Sequence, residues 1–214
     1  MENKRILLIG GGGHCKSVLD SLLASLAYSS IGIVDKESSG ISIFGVPQVG
    51  TDADLPILFA EGWTDAFITV GSIGNTALRR QLYATVKAIG FSVPSIVDKT
   101  AVVAADVQLP EGAFIGKHTV VNAGTVLGVC SIINTGAIIE HESNIGNFAH
   151  ISPGTVLCGQ VSIGDDTHIG ANSTVRQQLV IGKNTILGIG SVVTKNIPDR
   201  VEAYGNPCRV VKTL

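Results

Sequence analysis

From Val97 to Val193 every sixth residue is aliphatic: Val97, Val103, Leu109, Ile115, Val121, Leu127, Ile133, Ile139, Ile145, Ile151, Leu157, Ile163, Ile169, Val175, Ile181, Leu187 and Val193. A second column lies four residues after the first. It runs from Ala101 through Thr119, Ser131, Ala137 and Ser173 to Ile197, and is almost entirely Ser, Thr, Ala or Val. Glycine often follows the aliphatic residue directly, as at Gly116, Gly128, Gly146, Gly164, Gly170, Gly182 and Gly188. No α-helix has period six, and a strand alternates with period two. A strict six therefore means a short strand and a turn, repeated. The aliphatic residues point inward and stack on their equivalents one coil away, and the smaller residues fit the narrow corners. Repeats of this length mark a parallel β-helix.

The chain before residue 93 reads differently. Arg5–Gly10 is a buried strand whose last residue opens the run Gly10-Gly11-Gly12-Gly13, and a helix follows over His14–Tyr28. A second strand is expected at Ile31–Asp35, a short helix at Asp52–Glu61, a third strand at Ala66–Val70, and a helix at Asn75–Ile89 that Gly90 terminates. Alternating strands and helices imply a small parallel sheet of Rossmann-like type. The division expected is residues 1–92 for this α/β domain and 93–214 for the β-helix with a C-terminal tail.

The glycine loop lies between strand and helix, where free backbone N–H groups and the helix dipole favour phosphate. Gly10 and Gly12 match the first two glycines of a dinucleotide fingerprint, but Cys15 stands at the third, and Asp35 ends the second strand. The structural alternative is a tight turn with no ligand.

Charged residues make up 15% of the chain and the net charge is −2, which excludes a polybasic nucleic-acid binder. The first residues, Met1 to Arg5, precede an apolar run too short for a signal peptide, and no stretch has the length of a membrane span. A cytoplasmic protein without membrane insertion is expected. Cys15, Cys130, Cys158 and Cys208 are widely spaced and form no metal or disulfide pattern.

The repeat resembles that of the hexapeptide-repeat acyltransferases, whose fold is a left-handed β-helix with three hexads to a triangular coil. The pairing with a small N-terminal domain is similar to the enzymes that acetylate UDP-linked 4-amino sugars, and to sialic-acid O-acetyltransferases. The pieces that carry the resemblance are Gly12-Gly13-His14, Val34-Asp35, Gly71 with Asn75 and Arg79, Asn134, Ile139-Glu140-His141-Glu142, His150 and Gly205-Asn206-Pro207. The resemblance implies that Gly12, Gly13, His14 and Asp35 hold a nucleotide sugar, with Lys36, Gly71 and Asn134 also on the substrate side. Lys36 departs from the family, which carries a second acid there.

Acyl transfer from a thioester needs a base for the acceptor proton and a donor for the oxyanion. Imidazole titrates in the neutral range and suits the first task. Among the histidines of the repeat, His141 lies between two carboxylates in Glu140-His141-Glu142, a cluster unlike the small or neutral residues at most exposed positions. The alternative is a solvated polar turn. The family resemblance implies that His141 is the base and Glu142 its helper. It implies that the Gly159 N–H faces the thioester carbonyl, that His150 contacts the thioester region, and that Ala171 and Ile189 meet the pantetheine arm. Glycine is more usual in the family at the position of Ile189. His168, one coil after His150, is expected to stack on it and to have a surface role; His118 is expected to be an ordinary surface residue.

Acetyl-CoA is the expected cosubstrate, with no metal, and the family forms homotrimers with CoA between adjacent prisms. The fold also hosts γ-class carbonic anhydrases, but their close histidine pair is missing: spacings here are 23, 9 and 18. An ice-binding prism would show an outward threonine array, which is absent. The function expected is N-acetylation of a nucleotide-linked amino sugar of the UDP-4-amino-4,6-dideoxy type in bacterial surface-glycan synthesis. The alternatives are O-acetylation of a sialic acid or related sugar, and a non-enzymatic nucleotide-sugar-binding scaffold.

Overall fold

The computed structural model describes residues 4–214, so Met1 to Asn3, which begin the expected first domain, lie outside the described residues. The chain separates into two compact units. One comprises residues 4–71 with Ala77–Ile96, the other Ser72–Thr76 with Val97–Leu214.

In the first unit, β1 (Arg5–Ile9) leads through the glycine loop to α1 (Gly13–Ser25) and β2 (Ser30–Asp35). A hairpin follows, β3 (Ser42–Ile43) and β4 (Val46–Thr51). A 3-10 turn then leads into α2 (Leu55–Ala60), β5 (Asp65–Ile68) and α3 (Ala77–Ile89). The sheet order is β3-β4-β2-β1-β5. All neighbours are parallel except the β3–β4 pair. Central β1 is covered on both faces, which is why Ile6, Leu7, Leu8 and Ile9 form an unbroken apolar run with almost no exposure. α1 packs Cys15, Val18, Leu19 and Leu22 inward. Leu55 and Leu58 of α2 join Leu82 and Val86 of α3 in one cluster with Leu7, Ile9 and Phe91. Each such side chain contributes about 2 kcal/mol on burial.

The hairpin was not expected from the sequence. Its two turn residues, Phe44 and Gly45, both have positive φ (50° and 80°), as the favoured two-residue hairpin turn requires. A phenylalanine at the first of these positions hides the usual Asn-Gly signal.

The second unit is a left-handed β-helix with three flat faces. The first face stacks Phe114–Ile115, Ile132–Ile133, His150–Ile151, His168–Ile169 and Ile186–Leu187. The second stacks Val102–Val103, Val120–Val121, Ile138–Ile139, Val156–Leu157, Thr174–Val175 and Val192–Val193. The third stacks Val126–Leu127, Asn144–Ile145, Ser162–Ile163 and Val180–Ile181. Every pairing is parallel with partners 18 residues apart. The inward aliphatic residues, from Ile115 to Val193, form one core. The column four residues on is buried too, with Thr119, Ser131, Thr155 and Ser173 all at 0% exposure.

Leu109 breaks the expected inward column. It is 47% exposed, because residues 108–109 form no strand and the third face begins only at Val126. Pro110 follows and has no N–H to donate to a ladder. At the other end Val201–Gly205 extends the first face, and pairs antiparallel with Cys208–Thr213.

The corners use two distinct positions. Three residues after the inward aliphatic the backbone is left-handed, at Glu142 (φ 56°), Gln160 (φ 62°) and Gln178 (φ 61°) as well as at Gly124 and Gly136. One residue after it, the glycines lie against the next coil. A Cβ on Gly164 would stand 2.5 Å from the backbone nitrogen of Lys183.

Candidate active site

His141 and Glu142 occupy the corner that follows strand Ile138–Ile139, where the chain passes from the second face to the third. The His141 side chain is 59% exposed, because the turn holds it off the core. One coil on, at the same corner, stands Gly159. A Cβ there would lie 2.6 Å from His141 Nε2, so the missing side chain leaves the space the imidazole occupies. Glu142 Oε2 is 3.2 Å from His141 Nδ1 and also accepts from Gln160 Nε2 at 2.9 Å. The Gln160 bond, and then the His141 bond, hold the Glu142 carboxyl below the usual carboxylate range. An ionised carboxylate only accepts, so Nδ1 carries the proton and Nε2 presents its lone pair beside Gly159. That arrangement suits a general base.

His150 lies on the first face and is held at both nitrogens. Nδ1 is 3.1 Å from the carbonyl of Ser72, which can only accept. Nε2 is 3.3 Å from Asn134 Nδ2, and Asn134 Oδ1 accepts the Thr135 N–H at 2.8 Å, which fixes the amide's orientation. His150 is therefore a neutral ring whose lone pair is already engaged. It can position a ligand but is poorly placed to take a proton.

His168 stacks edge-on against His150, with centroids 4.9 Å apart. The expected surface role is wrong: His168 is only 8% exposed. It lies on the face along which Ser72–Thr76 runs, with Ser72 on His150, Gly74 against Ile186 and Thr76 bonded to Asp166. Burial pushes its pKa down.

Ala171 and Ile189 succeed each other at the corner between the first and second faces, where the Ala171 carbonyl accepts the Gly190 N–H. Ile189 is 80% exposed. Asn134 shares this corner. The expected residues of the β-helix thus form two groups on opposite edges of the second face: His141, Glu142 and Gly159 on one, Asn134, His150, Ala171 and Ile189 on or beside the other. A single chain does not bring the two groups together.

In the first unit the glycine loop divides into a crowded half and an open half. Gly10 has φ 108°, and a Cβ there would meet Val70 at 2.6 Å; Gly11 is equally crowded, by Ile41 and Asp35. Gly12 and Gly13 meet nothing within 4 Å and leave open backbone at the start of α1. Asp35 bridges this loop to its own strand end. Its two oxygens accept the N–H groups of Gly11 at 2.8 Å and Lys36 at 2.7 Å. Lys36 is exposed, and with Asp35, Glu37 and Ser39 it lines an open hollow. Gly71 approaches His14: its added Cβ would be 3.6 Å from the His14 Cβ.

The His14 ring is enclosed at Nε2. Burial, and secondarily the positive charge of the buried Arg79, lower its pKa to about 4. An unfolded histidine binds its proton near neutrality. The fold keeps His14 neutral down to about 4. Stability from this source is therefore present above the unfolded pKa of about 6.5 and is lost as pH falls through that value to about 4, by roughly 3 kcal/mol. Denaturant melts of the wild type and of His14→Gln across this range check it: the variant should lose that part of the pH slope.

Among the described residues no group of three His, Cys, Asp or Glu could hold a metal ion, and no helix is long and apolar enough to cross a membrane. The sequence reading missed Gln160, Gln178 and Ser72. The first two follow Glu142 at intervals of 18, a signal visible once the coil length is known; nothing in the sequence points to the Ser72 carbonyl.

Residues 5–86 match the model of the PglD N-terminal domain, and residues 142–177 match that of the bacterial transferase hexapeptide of six repeats. The chain is 35% identical to perosamine N-acetyltransferase from Caulobacter crescentus, solved as a histidine-to-asparagine variant with CoA and GDP-perosamine. The match covers 96% of each chain with a TM-score of 0.90. It is 32% identical to the acetyltransferase domain of PglB from Neisseria gonorrhoeae, covering 98% of this chain and 100% of that one with a TM-score of 0.92. WeeI from Acinetobacter baumannii, 24% identical with a TM-score of 0.83 over 97% of this chain and 100% of that one, has the same fold. By its repeat, its N-terminal domain and these full-length likenesses, the chain belongs to the hexapeptide-repeat family of sugar N-acetyltransferases.

Proposed function

We propose that this protein transfers the acetyl group of acetyl-CoA to the amino group of a nucleotide-linked amino sugar. The observation that carries the reading is the His141 ring, with Nδ1 held by Glu142 and Nε2 free beside Gly159. It is supported by the likeness to an N-acetyltransferase solved with CoA and GDP-perosamine. The nucleotide sugar is held by the open backbone at Gly12 and Gly13, with His14, Asp35, Lys36, Gly71 and Asn134 on the substrate side. His141 Nε2 takes a proton from the acceptor amine as its nitrogen attacks the thioester carbonyl. The Gly159 N–H faces the carbonyl oxygen as charge develops there. Collapse breaks the C–S bond, the sulfur takes up a proton, and CoA leaves as the free thiol. His150, Ala171 and Ile189 hold the pantetheine end.

The working unit is a cytoplasmic homotrimer. The outward positions of the second face, Val102, Val120, Ile138, Val156 and Val192, form an aliphatic row interrupted only by Thr174, and Val102 is 63% exposed. An apolar stripe of this kind favours burial against another copy. Covering it would bring the His141 edge of one chain toward the His150 edge of a neighbour, which accounts for the separation of the two groups within one chain.

Release of CoA thiol should be measured with GDP- and UDP-linked 4-amino sugars and with free sialic acid. Release with a nucleotide-linked amino sugar alone is expected. Release with sialic acid alone would replace the reading by O-acetylation, and nucleotide-sugar binding without release would leave a scaffold.

A further inference from the structure

Glu142, Gln160 and Gln178 occupy one position on three successive coils, each with left-handed backbone. Their main chains are tied coil to coil: the Gln160 N–H donates to the His141 carbonyl at 2.9 Å, and the Gln178 N–H to the Gly159 carbonyl at 3.0 Å. Coils spaced about 4.8 Å apart suit a ladder of side-chain amides. Here the ladder is continuous. Gln178 Nε2 donates to Gln160 Oε1 at 2.8 Å, and Gln160 Nε2 donates to Glu142 Oε2 at 2.9 Å. The oxygen that receives it is the one that faces His141 Nδ1.

The direction of the ladder follows from its first member. An ionised carboxylate only accepts, so Gln160 must turn its NH2 to Glu142 and its oxygen outward, and Gln178 must then offer its own NH2. We propose that Gln160, backed by Gln178, is a positioning residue that locks the Glu142 carboxylate on His141 and so keeps the imidazole in the tautomer whose Nε2 accepts the substrate proton. This rests on His141 being the base. Without the ladder the Glu142 side chain, 59% exposed on a flexible stem, would be free to swing into solvent. The other charged or titratable groups around this corner are Glu140 on the same turn, Cys158 and Arg176 on the next two coils, and Asp106 beyond Gly124, whose N–H it accepts at 2.7 Å.

The test is Gln160→Ala in the full chain. At saturating acetyl-CoA and sugar, kcat should fall about tenfold with the KM for acetyl-CoA unchanged, as expected for a group that acts on the base rather than on binding. ¹⁵N spectra of histidine-labelled protein should show His141 in the Nδ1–H form in the wild type and as a mixture of tautomers in the variant. Combined with Glu142→Ala, Gln160→Ala should cost nothing further, because it then has no carboxylate to hold. An unchanged kcat, an unchanged tautomer, or an equal extra loss on the Glu142→Ala background would overturn the proposal. The tautomer readout needs no substrate. Should the wild type acetylate no amine while Gln160→Ala still shows the tautomer change, the function proposed above would fall and the ladder would stand.

Discussion

His141→Ala should lower kcat by roughly 10²- to 10⁴-fold, the range a positioned general base supplies, while acetyl-CoA still binds. The ring is exposed at a turn and carries no part of the core, so the variant should fold and melt like the wild type. Binding should persist because His150, Ala171 and Ile189, the residues proposed for the pantetheine arm, lie on or beside the far edge of the second face. Gly159→Ala gives a second view of the same site. Its new methyl would fall 2.6 Å from Nε2, and the exposed ring would move rather than the coil. It should therefore cost turnover without costing stability. Calorimetric titration with acetyl-CoA, set beside steady-state rates, measures both quantities. Near-normal turnover in His141→Ala would remove His141 from the chemistry, and turnover lost together with cofactor affinity would make it a binding residue.

The period of six was enough to read the β-helix, because each inward aliphatic faces its own kind one coil away and nothing else competes for that position. Its hand was not in the pattern and came from the resemblance. The pattern failed at Leu109, where no coil lies beyond to stack on, and at the Phe44-Gly45 hairpin, whose turn chemistry is carried by an unusual residue. At the site, the acidic setting of His141 was legible as a local cluster, whereas Gly159 came from the resemblance alone; the 18-residue coil is what stands it beside the ring. The exposure of His168 was misread because it lies on the face along which Ser72–Thr76 runs, a segment nearly a hundred residues earlier in the chain. Likewise, the hydrogen bonds at both nitrogens of His150 depend on an amide orientation and a main-chain carbonyl, neither of which leaves a trace in residue spacing. Asp35 was read as a ligand for the nucleotide; what its two backbone bonds show is that it ties the glycine loop to the end of β2.

Gly146→Ala should be among the most destabilising small substitutions in the β-helix, at about 3 kcal/mol from overpacking and lost ladder bonds. Its added methyl would stand 2.5 Å from the backbone nitrogen of Asp165 and 2.6 Å from the carbonyl carbon of Gly164. Those atoms cannot yield singly. The Gly146 N–H donates to Ile163 at 2.8 Å, the Asn147 N–H to the Asp165 carboxylate at 2.7 Å, and the Asp166 N–H to Asn147 at 2.9 Å, so opening the gap strains all three. The glycines above and below, Gly128 and Gly164, are equally tight, so the strain has no slack neighbour to pass to. Gly136→Ala is the internal comparison. Its Cβ would meet nothing within 4 Å, but its φ is +67°, so it isolates the cost of left-handed backbone, about 1 kcal/mol. Thermal melts at one fixed protein concentration should put Gly146→Ala near 10 °C below the wild type, at roughly 3 °C per kcal/mol, and Gly136→Ala about 3 °C below. If the two variants melted together, the coil spacing would not be what demands glycine at the first corner position, and the close approach of successive turns would have to be accommodated by backbone movement instead.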